Sequence, residues 1–387
     1  MFRRSLNPLK SNSFLLFGAR GVGKSTLISE LLKEENFLEI DLLNPLVFEQ
    51  ATLGFAELVA RIESAVKEKK WIFIDEVQRY PKLLDVAQSF IDKEKARFVL
   101  SGSSARKLKR GSANLLAGRA YNYSIFPLTY KELDKDFDLN TYLSYGGLPH
   151  IWNIKDKRER ITYLRSYVAT YLKEEIAEEQ IIRKLEPFSR FLQVAAQSSG
   201  KILNYSKISK DVGVSDQTVK TYFQILEDTL VGFILPAYDS SIRKSARKAP
   251  KFYYFDTGVL RALWRTVDQT LEESNYQYGN LFEHFIINQI KNEFLYLEKD
   301  YSYSYYRTFE DEEIDLVIER PGKPHILIEI KSANKIKIEH TKTIKKLSEK
   351  FNLPQCFILS KDPEKKLFDS ITCVHWEDGI KEILGSY

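Results

Sequence analysis

The chain has 387 residues, 43% of them hydrophobic and 29% charged, with a formal net charge of +5. That length holds roughly two to three domains with sizeable cores, and the mild positive balance is compatible with nucleic acid without pointing to it. Two cysteines, Cys356 and Cys373, in no metal-ligand spacing read as buried reduced thiols, no stretch approaches the roughly eighteen apolar residues of a membrane span, and Met1-Phe2-Arg3-Arg4-Ser5 opens no signal peptide, so the expected compartment is the cytoplasm, with no membrane partner.

Residues 1–128 alternate short strands and helices, which predicts an α/β domain around a parallel sheet. Ser13–Phe17 is an apolar strand, and an amphipathic helix is expected over about Lys24–Lys33. Between them Gly18-Ala19-Arg20-Gly21-Val22-Gly23-Lys24-Ser25 fits G-x-x-x-x-G-K-[ST], with Thr26 just inside the helix. Such glycines let the backbone curl so that successive N–H groups face phosphate oxygens, and a helix N-terminus adds a positive dipole end. Lys24 is placed to reach the β- and γ-phosphates of a nucleotide, and Ser25 to ligate Mg²⁺.

A strand at Phe37–Asp41 and a helix at Phe55–Lys67 follow. Trp71-Ile72-Phe73-Ile74 then ends in Asp75-Glu76, an apolar strand capped by two acids. In company with the phosphate loop, Asp75 is expected to hold Mg²⁺ and Glu76 to orient or deprotonate the attacking water. The next apolar run, Arg97–Leu100, leads into Ser101-Gly102-Ser103-Ser104. Ser101 and Ser103 both qualify to touch the γ-phosphate or the water, and the pattern does not choose between them, though Ser103 is the candidate carried forward. No Asn-Lys-x-Asp guanine-reading motif is present, which favours ATP.

These motifs continue in an order that resembles one family. Asp75-Glu76-Val77-Gln78-Arg79-Tyr80-Pro81, Ser101-Gly102-Ser103-Ser104, Leu116-Ala117-Gly118-Arg119-Ala120 and Phe126-Pro127-Leu128 are similar to prokaryotic AAA+-type ATP-binding proteins that carry a C-terminal domain of unknown function. Gly146-Gly147-Leu148-Pro149 and Lys251-Phe252-Tyr253-Tyr254-Phe255-Asp256-Thr257-Gly258 resemble landmarks of that second domain. The resemblance implies that Arg119 is an arginine finger supplied to a neighbouring subunit, hence a homo-oligomer. It departs from standard AAA+ enzymes in showing no small helical lid with a second sensor arginine.

Residues 129–245 carry helical periodicity. Within them Tyr205–Val212, Gly213 and Asp216–Tyr222 read as helix, glycine turn and helix, with Leu230–Leu235 as a wing strand: a winged-helix-like module in which Gln217, Thr218, Lys220 and Thr221 would face a DNA major groove. The same helices also suit a packing or protein-contact role. Ser241–Lys251 is basic, poor in large apolar residues, and reads as a linker.

The last region, 246–387, returns to α/β character. A helix is expected over about Leu281–Phe294, and Glu313–Glu319 and His325–Lys331 form a hairpin around Pro321-Gly322. Period-two alternation puts Glu329 and Lys331 on one face, and antiparallel pairing brings Asp315 to them. With Glu283 on the helix, this is the pattern of a PD-(D/E)XK nuclease-like fold, in which the three carboxylates hold Mg²⁺ and the lysine stabilises charge or helps deprotonate the nucleophile. Lys331, Lys335, Lys337, Lys342, Lys345 and Lys346 form a basic stretch able to follow a DNA or RNA backbone. A helix near Thr341–Lys350 and a strand at Gln355–Leu359 complete the expectation.

Overall fold

The structure is a computed structural model, and it describes residues 2–94, 96–104, 116, 118–171 and 185–385. Ala117 and part of the expected helical stretch, 172–184, lie outside the described residues.

The N-terminal sheet contains β1 (Ser13–Phe17), β2 (Phe37–Asp41), β3 (Trp71–Asp75), β4 (Phe98–Gly102) and β5 (Ala120–Ser124), in the order β2-β3-β4-β1-β5. Every pairing in it is parallel. β1, β3 and β4 are buried along their whole length, as continuous apolar runs in a parallel sheet must be. The strand carrying the phosphate loop thus lies beside β4, and β4 beside the strand ending in Asp75. Helices α1 (Lys24–Leu31), α2 (Pro45–Leu53), α3 (Phe55–Lys67) and α4 (Lys82–Glu94) make the crossovers. α2 and α4 were not expected. Asn44 caps α2 by accepting from Leu46 N–H, with Pro45 at the first helical position.

The middle region contains α5 (Leu139–Tyr145), α6 (Lys157–Ser166) running into a π-helical turn at Tyr167–Tyr171, α7 (Leu185–Gln197), α8 (Tyr205–Val212) and α9 (Asp216–Asp228). Gly213 ends α8 at φ 78°, and Ser215 caps α9 by accepting from Thr218 N–H. β6 (Gly232–Leu235) pairs antiparallel with β7 (Lys251–Tyr254). The expected linker therefore ends in a buried strand, because Lys251, Phe252, Tyr253 and Tyr254 are all inside. The β6–β7 pair also crosses the expected boundary at 245/246.

α10 (Thr257–Leu263) joins two landmarks far apart in sequence. The buried Asp256 carboxylate accepts from Gly147 N–H at 2.7 Å and from Val259 N–H at 2.9 Å. A Cβ on Gly258 would lie 2.0 Å from the Tyr145 carbonyl oxygen, so the α5 terminus and the α10 start touch backbone to backbone. Since the obstacle is backbone, Gly258→Ala is expected to cost about 3 kcal/mol or more. A lowered urea midpoint with an unchanged slope checks it; a midpoint equal to the parent's would show the contact gives way.

The C-terminal region opens with α11 (Tyr276–Tyr296), followed by β8 (Ser302–Arg307), β9 (Glu313–Glu319), β10 (Ile326–Lys331), α12 (Lys342–Ser348), β11 (Gln355–Ser360), β12 (Lys366–Phe368), β13 (Ile371–His375) and α13 (Trp376–Gly385). The six-stranded sheet is mixed, in the order β12-β13-β11-β10-β9-β8. One large core gathers a face of each sheet together with the middle helices, while α2–α4 side residues and α12 side residues close the outer faces with smaller cores. Cys356 and Cys373 are buried free thiols, raised to about 11 by burial. Among the described residues no helix is long and apolar enough to cross a membrane.

Candidate functional site

The phosphate loop runs from the C-terminal end of β1 into the N-terminus of α1. Gly23 opens the helix at φ 96°, a left-handed geometry that glycine adopts without strain. Gly18 lies against Ile125, where a Cβ would sit 2.7 Å from that residue's carbonyl oxygen. Two donors hold the loop from outside. Arg4 Nη1 donates to the Val22 carbonyl at 2.8 Å, and the Tyr167 hydroxyl to the Arg20 carbonyl at 2.9 Å. Arg4 is itself fixed by Glu132 at 3.0 Å. Those two carbonyls are held outward, while the Gly18 N–H donates to the Gly102 carbonyl at 3.3 Å and ties the loop's start to β4.

Lys24 is 5% exposed; its Nζ donates to the Gly18 carbonyl at 2.9 Å and lies 3.6 Å from Glu76 Oε1. Ser25 Oγ donates to Asp75 Oδ2 at 2.6 Å. The two expected Mg²⁺ ligands therefore meet across 50 residues of sequence. Thr26 is exposed and Ala19 and Val22 are buried, so those three support the loop in different ways.

The serines left open by the pattern divide the work. Ser101 Oγ bonds Asp75, while Ser103 Oγ donates to Glu76 Oε2 at 3.1 Å. Gln78 completes this network: its Nε2 donates to Ser103 Oγ at 2.8 Å and to Glu76 Oε2. Burial pushes the Glu76 carboxyl up, but the Lys24 ammonium, the Gln78 and Ser103 hydrogen bonds and the Arg20 charge outweigh it and hold the group below its usual value. Glu76 also sits at φ 53°, an uncommon left-handed conformation for a residue with a side chain, at the point where the carboxylate must turn over the loop.

Arg119 is not part of this constellation within its own chain. It precedes Ala120, which pairs with Ser13 at the start of β1, whereas the loop follows Phe17 at the end. That separation is about 16 Å of strand. Arg119 Nε there donates to Asp92 at 2.6 Å.

At the other end of the molecule, β9 and β10 pair with Ile326 opposite Ile318 and Ile328 opposite Leu316. One further step sets Asp315 across from Glu329, on the face that carries Lys331. Asp315 Oδ2 accepts from Ile330 N–H at 2.7 Å, and Lys331 Nζ contacts Glu329 Oε1 at 2.5 Å. Glu283, from α11, accepts from the Tyr253 hydroxyl at 2.6 Å. Burial first, then the Asp315 charge, raises the Glu329 carboxyl, and burial likewise raises Glu283 against the opposing pull of Lys251.

The expected residues thus share one face, yet among the described residues no three His, Cys, Asp or Glu side chains close into a metal-holding group. Two ammonium groups stand among these acids. Lys331 engages Glu329, and Lys251, from β7, bonds Glu313 and lies 3.7 Å from Glu283. The basic stretch is also less free than its composition suggests: Lys345 pairs with Asp369 at 2.5 Å, and Lys346 with Glu312 at 2.8 Å. Lys335, Lys337 and Lys342 face solvent. On α9, Gln217 and Lys220 are exposed and Thr218 and Thr221 half-buried, so the expected groove-facing side does point outward.

Sequence reasoning missed Arg4, Gln78 and Lys251 as site residues. Gln78 carried a signal, two positions after Glu76 in the Asp-Glu-Val-Gln run; Arg4 and Lys251 act on partners 18 to 128 and 32 to 62 residues away, beyond any local pattern.

Residues 10–134 match a family model described as an AAA domain. Residues 136–270 and 278–377 match two domains of unknown function, DUF8612 and DUF4143. An uncharacterised protein of Mycobacterium tuberculosis is 28% identical over 325 residues, 84% of this chain and 70% of that protein. One of Haemophilus influenzae is 22% identical over 409 residues, 98% of this chain and 97% of its own length. A solved structure described as a Walker-type ATPase of Pyrococcus abyssi is 15% identical with a TM-score of 0.44, covering 65% of this chain and 90% of its own. The region that matches the AAA-domain model is the one built on the parallel sheet and carrying the phosphate loop. The middle model runs through the β6–β7 pair, so Lys251 lies in one matched region and Glu283, Asp315, Glu329 and Lys331 in the next.

Proposed function

We propose that the chain binds and hydrolyses ATP with Mg²⁺ at the Lys24, Asp75 and Glu76 site, and that nucleotide state controls a C-terminal module that binds nucleic acid and cleaves it through Glu283, Asp315, Glu329 and Lys331. The observation that carries the ATPase reading is the Ser25 hydroxyl resting on Asp75 at 2.6 Å beside a buried Lys24. Those are two hard oxygen ligands, one at the start of α1 and one at the end of β3, the donor set Mg²⁺ takes in phosphate sites. Bound there, the ion would supply charge neutralisation between the β- and γ-phosphates.

The chain's own residues do the rest. In the loop that Gly18 opens, the N–H groups from Ala19 to Thr26 bind the phosphates. Lys24 exchanges the Gly18 carbonyl and Glu76 for phosphate oxygens. Glu76, relieved of its ammonium partner, accepts the proton of the attacking water while the bond from γ-phosphorus to the bridging oxygen breaks. Ser103 and Gln78 keep its carboxylate aimed. Arg119 reaches only a neighbouring chain's nucleotide, so the reading includes a homo-oligomer. Mixing Arg119→Ala chains with Lys24→Ala chains is therefore expected to recover turnover that neither shows alone. No recovery at any mixing ratio would put Arg119 outside catalysis. Phosphate release from ATP with and without Mg²⁺ tests the whole reading; no release and no uptake of an ATP analogue would remove it.

For the C-terminal face the fit of a cation rests on Glu329 Oε2, which is buried without a hydrogen-bond partner on a side chain in a residue only 6% exposed. Glu283, Asp315 and Glu329 would hold a divalent ion, which would neutralise charge on a scissile phosphate. Lys331 would stabilise the developing charge. A second reading, an ATP-gated switch that binds a protein partner with a non-cleaving C-terminal region, is favoured by the ammonium of Lys251 already standing among these acids.

A further inference from the structure

We propose that Lys251 is a resident cation of the acidic cluster, competing with a divalent metal ion for the same carboxylates, so that the middle region decides whether the C-terminal site is loaded. This rests on reading the Glu283, Asp315 and Glu329 face as a metal site, though not on its cutting anything.

Lys251 is the first residue of β7 and only 3% exposed. A buried ammonium is costly unless carboxylates surround it. Its Nζ donates to Glu313 Oε1, lies 3.7 Å from Glu283 Oε1, and packs over the Tyr305 ring at 5.3 Å. Glu313 also has Arg307 Nη1 at 3.9 Å. Glu283 in turn accepts from Tyr253, two residues along the same strand as Lys251. One strand of the middle region therefore supplies both the cation and the hydrogen bond that hold Glu283.

Glu329 Oε2 is buried and unpartnered, although Lys331 takes Oε1. Lys251 contacts Glu283 and Glu313, Lys331 contacts Glu329, and both ammonium charges act on Asp315 and Glu283 as well, so two separate cations hold the acids. The two cations make different demands on Glu283: the Lys251 ammonium stands 3.7 Å from its carboxylate, whereas Mg²⁺ or Mn²⁺ takes oxygens at about 2 Å with the ligands drawn together, and the positive charge already there opposes the ion's approach. Withdrawing Lys251 with β7 would remove that opposition. β7 is paired to β6, and β6 follows directly on α9, so a movement of that helical module carries Lys251 with it.

The test is Mn²⁺ binding to the full-length chain without nucleotide, by calorimetry and by electron paramagnetic resonance, in the parent, Lys251→Met and Lys251→Gln. Gln keeps a donor for the two glutamates and is the second neutral variant should Met fail to fold. The expected result is at least tenfold tighter Mn²⁺ binding at one site in the neutral variants, a lower melting temperature that Mn²⁺ restores, and no such gain in Lys251→Arg. The gain should vanish when Asp315→Asn is added. Equal affinity in the parent and both neutral variants overturns the proposal, as does a gain that survives Asp315→Asn. If the gain appears but no nucleic acid is cut, Lys251 keeps its role and only the cleavage reading falls.

Discussion

Glu76→Gln is expected to lower ATP turnover by about a hundredfold to ten-thousandfold while leaving nucleotide binding intact. The two side chains have the same shape, and a glutamine oxygen still accepts from Gln78 and Ser103, which hold Glu76 now. What disappears is a carboxylate able to take a proton from water. Binding should even tighten slightly, because Lys24, 3.6 Å from Glu76, loses an intramolecular competitor for its ammonium. Lys24→Ala is the converse case, in which turnover and binding fall together, since the missing group grips the phosphates in ground and transition states alike. Fluorescent-nucleotide titration alongside phosphate release separates the two. Equal losses of binding in both variants, or a Glu76→Gln chain that turns over like its parent, would contradict the assigned roles.

Asp315→Asn is expected to abolish metal-dependent cleavage, by about a hundredfold or more, with ATP turnover unchanged. Asparagine can retain the bond that Asp315 accepts from Ile330 N–H at 2.7 Å, so the β9–β10 hairpin keeps its form. The face opposite Glu329 loses one of its negative charges, and with it the attraction for a divalent ion. The assay uses Mg²⁺ or Mn²⁺ and a mixed panel of DNA and RNA, with and without ATP. A parent chain that nicks nothing under any of these conditions would leave the switch reading, and cleavage that survives Asp315→Asn would place the chemistry elsewhere.

The N-terminal frame was legible because its signals are local. β1, β2 and α3 occupy the residues their apolar runs indicate, and the loop between β1 and α1 follows from glycine spacing alone. The Asp315–Glu329–Lys331 face was legible for a similar reason, since one hairpin and a period of two determine it. α2 was missed because its apolar residues spread round the helix instead of forming one stripe, leaving the Asn44 cap to mark it, whereas α4 does carry an amphipathic stripe that the sequence reading passed over. β8, β12 and β13 were missed because short or half-exposed strands take their form from the sheet they join. Lys251 was hidden by its neighbourhood. Arg243, Lys244, Arg247 and Lys248 make the preceding segment look like a solvated basic linker, and only a tertiary contact distinguishes the last lysine from the others. The same applies to Arg4, whose guanidinium meets Glu132 and Val22 only once the chain has folded.

The Tyr167 hydroxyl bonds the Arg20 carbonyl, 147 residues earlier in the chain. The phosphate loop and the helical stretch that begins at Lys157 are thereby tied together. On the proposed function, any slackening of the loop as γ-phosphate leaves would pull on that rod of helix rather than on solvent. A chain with phenylalanine at 167 would keep the rod and the grip but lose the string between them.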